Sequence, residues 1–375
     1  MPLRILGRAF DGFDRAFTKQ LQNLDVEHEL VDILELERRV VHTRAPEADV
    51  LLLITDWLPA LIEAGRLLPI ETTSIQGWPD AYAPALRQLQ QGPDGRTYGV
   101  AYHDGPMLFL YRTDLYRDPQ EQAGFRERFG YELENPLDWN QFMDQAIWFN
   151  RPEKGLYGTV QAGFPDEHNP VYDFLTQLWS RGGDLIVGGR SGLDSAPALE
   201  TVAFFHDLWH ISQVVNPAAA QWDSVESGQR FAAGEAAMMV NWAGFASPHD
   251  GCAPVPGATT MNAYWVLAIP SDAPDPQQSQ ALIRKLATPE MDVVTALSGG
   301  SATRRDSWAN PRVRSSAPYY EVLETAHRNS RSVPSDPRWP RMAGIVNELM
   351  RGLIADRKGF ESLQDAHEKL NRLLT

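Results

Sequence analysis

The chain has 375 residues, long for a single hydrophobic core, which predicts two domains. Its 43% apolar and 22% charged content is that of a soluble globular protein, and no apolar run reaches the roughly 18 residues that span a bilayer. A net charge of −15 argues against nucleic-acid and anionic-membrane partners, which need basic stripes, and a lone cysteine, Cys252, excludes an intrachain disulfide.

The opening "MPLRILGRAF" runs straight into a strand-like alternation of Leu3, Ile5 and Gly7, without a basic-then-apolar leader. This predicts either a cytoplasmic chain or one from which an export signal has been removed. "EHELVDIL" and "ADVLLLIT" read as strands, the second as an unbroken apolar run suited to burial on both faces of a parallel sheet. At its carboxyl end Asp56 and Trp57 stand side by side, a pairing that leaves catalysis, metal binding, sugar binding and core packing open. The helix that follows stops at Gly65, which suits a left-handed C-cap. Strand, loop, helix and strand in this order argue for α/β layering.

From Arg96 to Tyr116 the chain is again strand-like, with a polar break at His103-Asp104-Gly105-Pro106. In "PLDWNQFMDQAIWF", Trp139, Phe142, Met143, Ala146 and Ile147 fall on one helical face, with Asp138 as N-cap. "ALETVAFFHDLWHISQ" predicts a helix, "GQRFAAGEAAMMVNW" a helix then a strand, and "AYWVLAIP" a strand followed by a helix from about Pro276 to Ala287. Beyond Trp308 the chain is mostly helical. Its last helix carries the capping pattern Ser362-x-x-Asp365 and a seam of Leu363, Ala366, Leu370 and Leu373.

Five of these stretches resemble, in order, the sugar-binding extracellular solute-binding proteins (family 1) that serve ABC transporters and have the type 2 periplasmic-binding-protein fold. "ADVLLLITDWLPALIEAGRLLPI" looks like the family's strand, loop and helix ending in G-x-L-x-P-L. "YGVAYHDGPMLFLYRTDLY" resembles its crossover strand, and "DWNQFMDQA" its T-W-D-E-F helix start. "RFAAGEAAMMVNW" is similar to F-x-x-G-x-A-A-M, and "WVLAIP…GGSATRRDSW" to G-G-W-x-L-A-I-P followed by G-x-P-T-R. The chain departs from the pattern at Ala263-Tyr264, where the family has a glycine pair, and at Ala302, where it often has proline. It also leaves little room for a helix in "ELERRVVHTRAPE".

The resemblance implies an α/β fold of two lobes, each a mixed sheet flanked by helices, joined by crossover strands. The N-terminal lobe would comprise 1–105 plus 262–300 and the C-terminal lobe 106–250 plus 304–375, with hinges near 103–108, 250–262 and 300–304. It further implies a carbohydrate clamped and released by closure, ABC permease subunits as partners, a monomer, a periplasmic or extracellular location, and neither catalysis nor a cofactor.

A sugar presents apolar C–H faces and a rim of hydroxyls, so its sites combine flat aromatic rings with carboxylates, amides and guanidinium groups. In open α/β sheets such sites lie beyond the carboxyl ends of strands. By motif position the candidate contacts are Phe10, Asp11, Asp56, Trp57, His103, Asp104, Asn241, Trp242, Tyr264, Trp265 and Arg304. Trp179 and Trp222 are further second-lobe candidates. For each, core packing, ion pairing or helix capping is the competing reading.

Other patterns carry less. His206 and His210 have zinc-compatible spacing but lack the glutamate of H-E-x-x-H. Tyr319-Tyr320 resembles the tyrosine pair of ferric-ion-binding relatives, yet falls in what reads as a peripheral helix. "SRGGDLIVGGRSG" matches no phosphate-binding motif, and "DGCAPVPG" offers Cys252 no paired base. Asp56 and Asp104 could serve a glycosidase if they faced each other across a sugar. The alternative to a transport receptor is a cytoplasmic enzyme or ligand sensor on the same fold.

Overall fold

The computed structural model describes residues 2–43, 47–356 and 358–375. The chain forms two compact units, Met1–Pro106 with Asn262–Pro340, and Met107–Met261 with Arg341–Thr375. Their sheets use the strands β1 (Leu3–Arg8), β2 (Val26–Val31), β3 (Val50–Ile54), β4 (Leu67–Leu68), β5 (Val100–His103), β6 (Met107–Arg112), β7 (Tyr157–Val160), β8 (Ala236–Trp242), β9 (Asp250–Ala253) and β10 (Trp265–Pro270). The helices needed below are α1 (Asp11–Gln20), α2 (Trp139–Phe149), α3 (Asn169–Ser180), α4 (Ala196–His206), α5 (Ser224–Ala232), α6 (Pro276–Leu286), α7 (Pro289–Leu297) and α8 (Gly359–Leu374).

In the first unit the sheet order is β2-β1-β3-β10-β4, with β5 also paired to β10. β1 runs parallel to β2 and β3, while β10 runs antiparallel to β3, β4 and β5. β3 is the centre of this sheet. Its apolar run is buried at every position, which is why it shows no alternation. α1 lays Phe13, Ala16 and Phe17 into the core, and its Gln20 reaches α7, donating to the Met291 carbonyl at 2.8 Å. The helix after β3 spans Leu58–Glu63, and Gly65 follows it at φ +64°, a conformation that glycine adopts without a Cβ penalty. Within "ELERRVVHTRAPE" the helical turns end at His42; residues 44–46 of that stretch lie outside the described residues.

In the second unit β6 lies between β9 and β8, antiparallel to both, and β7 pairs parallel to β8. Asp138 caps α2 as expected, accepting from the backbone N–H of Asn140 and Gln141, each at 2.9 Å. α8 buries Leu363, Ala366 and Leu370 of the predicted seam. It begins at Gly359, however, so Ser362 lies inside the first turn and its N–H already bonds to the Lys358 carbonyl. The Ser362 capping pattern is therefore not used.

Residues 304–340 belong with the first unit, not with the second as the motif order implied. Their side chains explain the difference. Arg304 is buried there, the Tyr320 hydroxyl accepts from the Ala302 N–H at 3.1 Å, and His327 bonds to Asp104 at 2.7 Å. The segment is thus tied to the body of the first unit by polar bonds that leave no trace in hydrophobic spacing.

Candidate ligand-binding site

The parallel strands β1, β3 and β5 of the first unit end at one edge of the sheet. The register there sets Trp265, at the start of β10, opposite both Ile54 and His103. Arg8 closes β1, and its guanidinium carbon lies 5.8 Å from the Trp265 ring centroid, within cation–π range. Phe10 precedes α1 and its ring meets His103 at 5.9 Å. Phe13 meets His103 at 4.9 Å and Trp265 at 5.7 Å, each edge to face. This edge therefore gathers Arg8, Phe10, His103 and Trp265.

The state of His103 follows from its surroundings. Its Nδ1 accepts from the Ser301 N–H at 2.9 Å, which leaves the ring proton on Nε2. Burial, helped by the Arg8 charge, pushes its pKa down to about 3, so the imidazole is neutral across the physiological range. A neutral imidazole N–H, a guanidinium and aromatic faces together can donate to hydroxyls and cover C–H surfaces. Asp56 and Trp57 form the 3-10 turn just after β3, and both are buried. Arg8 was not anticipated from sequence. Its only signal was its place at the carboxyl end of the first strand.

Four expectations give way to internal roles. Tyr264 is fully buried; its hydroxyl donates to the Gln88 carbonyl and accepts from the Gln90 side chain at 3.3 Å. Asp104 is held by the Gly105 N–H at 2.8 Å and by His327 at 2.7 Å, beneath a Trp308 ring stacked on the imidazole. Arg304 sends Nε and Nη2 to Asp306 at 3.0 and 2.7 Å and Nη1 to the Gln76 and Ala287 carbonyls, and lies over Tyr82. Asn241 donates to the Ser224 carbonyl and Ser227 hydroxyl and accepts from the Trp242 N–H, tying β8 to α5. In each case the polar atoms that were to face a ligand are turned into the protein. Asp11 is the opposite case, an exposed carboxylate 3.8 Å from Arg15 on the surface of α1.

In the second unit Trp242, at the end of β8, is half-buried. Its indole N–H donates to Asn169 Oδ1 at 3.2 Å, and Tyr172 meets the ring edge to face at 5.5 Å. Trp179 is buried in α3, and Trp222 is half-buried with the Arg230 guanidinium 5.1 Å from its ring. Other patterns settle into structure. The Tyr319 hydroxyl bonds to Ser301 Oγ at 3.1 Å, and His210 bonds to the Leu353 carbonyl at 2.7 Å. Burial, then the Asp250 charge, pushes the Cys252 thiol up to about 12, far from a nucleophile's range.

Two α/β units, each with its own sheet, and an aromatic and polar strand edge fit a solute-binding receptor. The chain belongs to the bacterial extracellular solute-binding proteins, whose sequence model matches residues 38–293. The family is one of transport rather than catalysis. No curated protein matches the chain. Among solved structures it is similar to an ABC transporter solute-binding protein from Thermotoga lettingae bound to α-D-tagatose, at 19% identity and TM-score 0.85 with both chains fully covered. A ribitol complex from Agrobacterium radiobacter shares 18% identity at TM-score 0.85, covering 100% of this chain and 98% of that one. Maltose-bound MalE3 of T. maritima shares 21% at TM-score 0.82, with the same coverage. At these identities the likeness establishes the fold. No helix among the described residues is long and apolar enough to cross a membrane.

Proposed function

We propose that the chain is the substrate-binding component of an ABC-type importer and that its solute is a neutral sugar or polyol. The first-unit contacts are Arg8, Phe10, His103 and Trp265, with Asp56 and Trp57 beside them; the second-unit contact is Trp242. The observation that carries the solute class is the first-unit strand edge, where an uncharged imidazole donor and a guanidinium adjoin the half-buried Phe10 ring and the largely buried Trp265 ring. The sugars and polyols bound in the similar structures support the same class. Family membership and the ABC transporter neighbours support action outside the cytoplasm beside permease subunits.

Calorimetry against D-tagatose, ribitol, D-mannitol and maltose tests the reading. At least one should bind with a Kd near micromolar, about −8 kcal/mol. A cooperatively folded protein that binds none of the four removes the sugar and polyol reading.

A further inference from the structure

Trp242 sits at the end of a chain of polar groups that runs through the amino terminus of α3. Its Nε1–H donates to Asn169 Oδ1 at 3.2 Å, and Asn169 Nδ2 donates to Asp166 Oδ2 at 2.5 Å. The other carboxylate oxygen of Asp166 accepts from the backbone N–H groups of His168 and Asn169, each at 2.9 Å. Asp166 and Asn169 are both more than nine-tenths buried.

The chain has only one consistent direction. An indole N–H can only donate and a carboxylate can only accept, so Asn169 must present its oxygen to Trp242 and its NH₂ to Asp166. The charge on Asp166 polarises the amide and strengthens the oxygen that faces the indole. Tyr172, one turn further along α3, meets the same indole edge to face, and its hydroxyl lies 3.1 Å from His168 Nδ1. The plane of Trp242 is therefore fixed at its nitrogen and by the Tyr172 ring, while the residue as a whole stays half-buried.

We propose that Asp166 and Asn169 are positioning residues that pre-set the Trp242 ring for stacking on the solute. The proposal rests on Trp242 as a ligand contact. A platform already held in its binding orientation loses no rotamer freedom on association, a saving that corresponds to about two- to tenfold in affinity for one ordered side chain.

Asp166→Asn is close to isosteric but turns an acceptor into a donor. It forces Asn169 to flip, and that sets NH₂ against the indole N–H. Asn169→Leu removes both ends of the relay. The first arm needs no solute: the Trp242 indole ¹H–¹⁵N resonance, assigned by its loss in Trp242→Phe, is followed in unliganded protein. Both variants should shift it and speed its exchange with solvent by about two- to tenfold. The second arm measures Kd for D-tagatose, ribitol, D-mannitol and maltose. The variants should bind about two- to tenfold more weakly than wild type, with no further loss when placed in the Trp242→Phe background. An unmoved resonance, or an equal loss of affinity in that background, overturns the proposal. Wild type that binds none of the four while the resonance shifts as expected defeats the sugar and polyol reading, and with it the stacking role, but leaves the hydrogen-bond relay standing. Should Asn169→Leu fail to fold, Asp166→Asn decides by itself.

Discussion

At Arg304 the guanidinium is turned inward and its side chain is only 2% exposed. Replacing it with methionine keeps the apolar stem but strands the buried Ala287 carbonyl, while the Gln76 carbonyl and Asp306, both on exposed residues, are rehydrated. A stranded buried acceptor costs about 1–3 kcal/mol, so Arg304→Met should destabilise the first unit by roughly that amount, read as a shift in the urea midpoint. Binding by the protein that remains folded should be unchanged. Arg8→Gln should do the reverse, weakening binding by about tenfold or more through loss of a charge-assisted donor, with a smaller shift of that midpoint. If the two variants exchange these effects, the assignments must be exchanged as well. The two arginines were not distinguishable in sequence. "SATR" matched a ligand-side motif and "RILGR" matched nothing, because the partners that decide each case, Gln76 and Ala287 for Arg304 and Trp265 for Arg8, lie outside those motifs.

Among elements, the contact of α2 with β7 is the most demanding sterically. A Cβ added at Gly158 would lie 1.9 Å from the Ala146 carbonyl oxygen on α2, and that atom is backbone and cannot rotate away. Gly158→Ala should push α2 off the sheet and cost at the upper end of the roughly 1–3 kcal/mol typical of overpacking, measured by denaturant titration. A variant within about 0.5 kcal/mol of wild type would mean that the helix shifts freely. The elements themselves were largely legible. The apolar run of β3, the Asp138 cap of α2 and the Gly65 stop each rest on local chemistry that sequence displays. What was not legible is how elements group. Residues 304–340 were expected in the second unit because the family resemblance implied it, and their helical spacing says nothing of direction to correct that. They are fixed instead by single polar contacts such as His327 with Asp104, which no periodicity encodes. The same limit explains Ser362, whose capping pattern is present but starts three residues after the helix does.

Across the whole molecule, two buried first-unit groups pull stability against pH in opposite directions, on a background that includes Asp173 of the second unit, whose carboxyl burial also raises and which is common to every variant below. His103 is depressed from its ordinary 6.5 to about 3 by burial and the Arg8 charge. Below pH 6.5 the unfolded chain therefore takes a proton that the native imidazole refuses, and stability falls with pH until about 3. Asp292 is raised from 3.8 to about 6 by burial, despite hydrogen bonds from the Thr303 and Arg304 backbones and the Thr303 side chain. The tyrosines in its field, Tyr82, Tyr102 and Tyr320, are all raised further above their ordinary value and stay neutral throughout. Between about pH 6 and 3.8 the native carboxyl takes a proton that the unfolded one does not, so stability rises as pH falls. Each slope is about 1.4 kcal/mol per pH unit, and their near-cancellation between pH 6 and 4 leaves the pair almost silent in wild type. Removing either partner exposes the other. His103→Gln, which keeps an acceptor for the Ser301 N–H, should gain stability relative to wild type as pH falls from 6 to 4, and Asp292→Asn should lose it. Urea titrations at pH 7, 6, 5 and 4 read both differences directly. Parallel profiles for the three proteins would mean that neither group is held as its surroundings here require, and the uncharged His103 donor on which the neutral-solute reading leans would go with them.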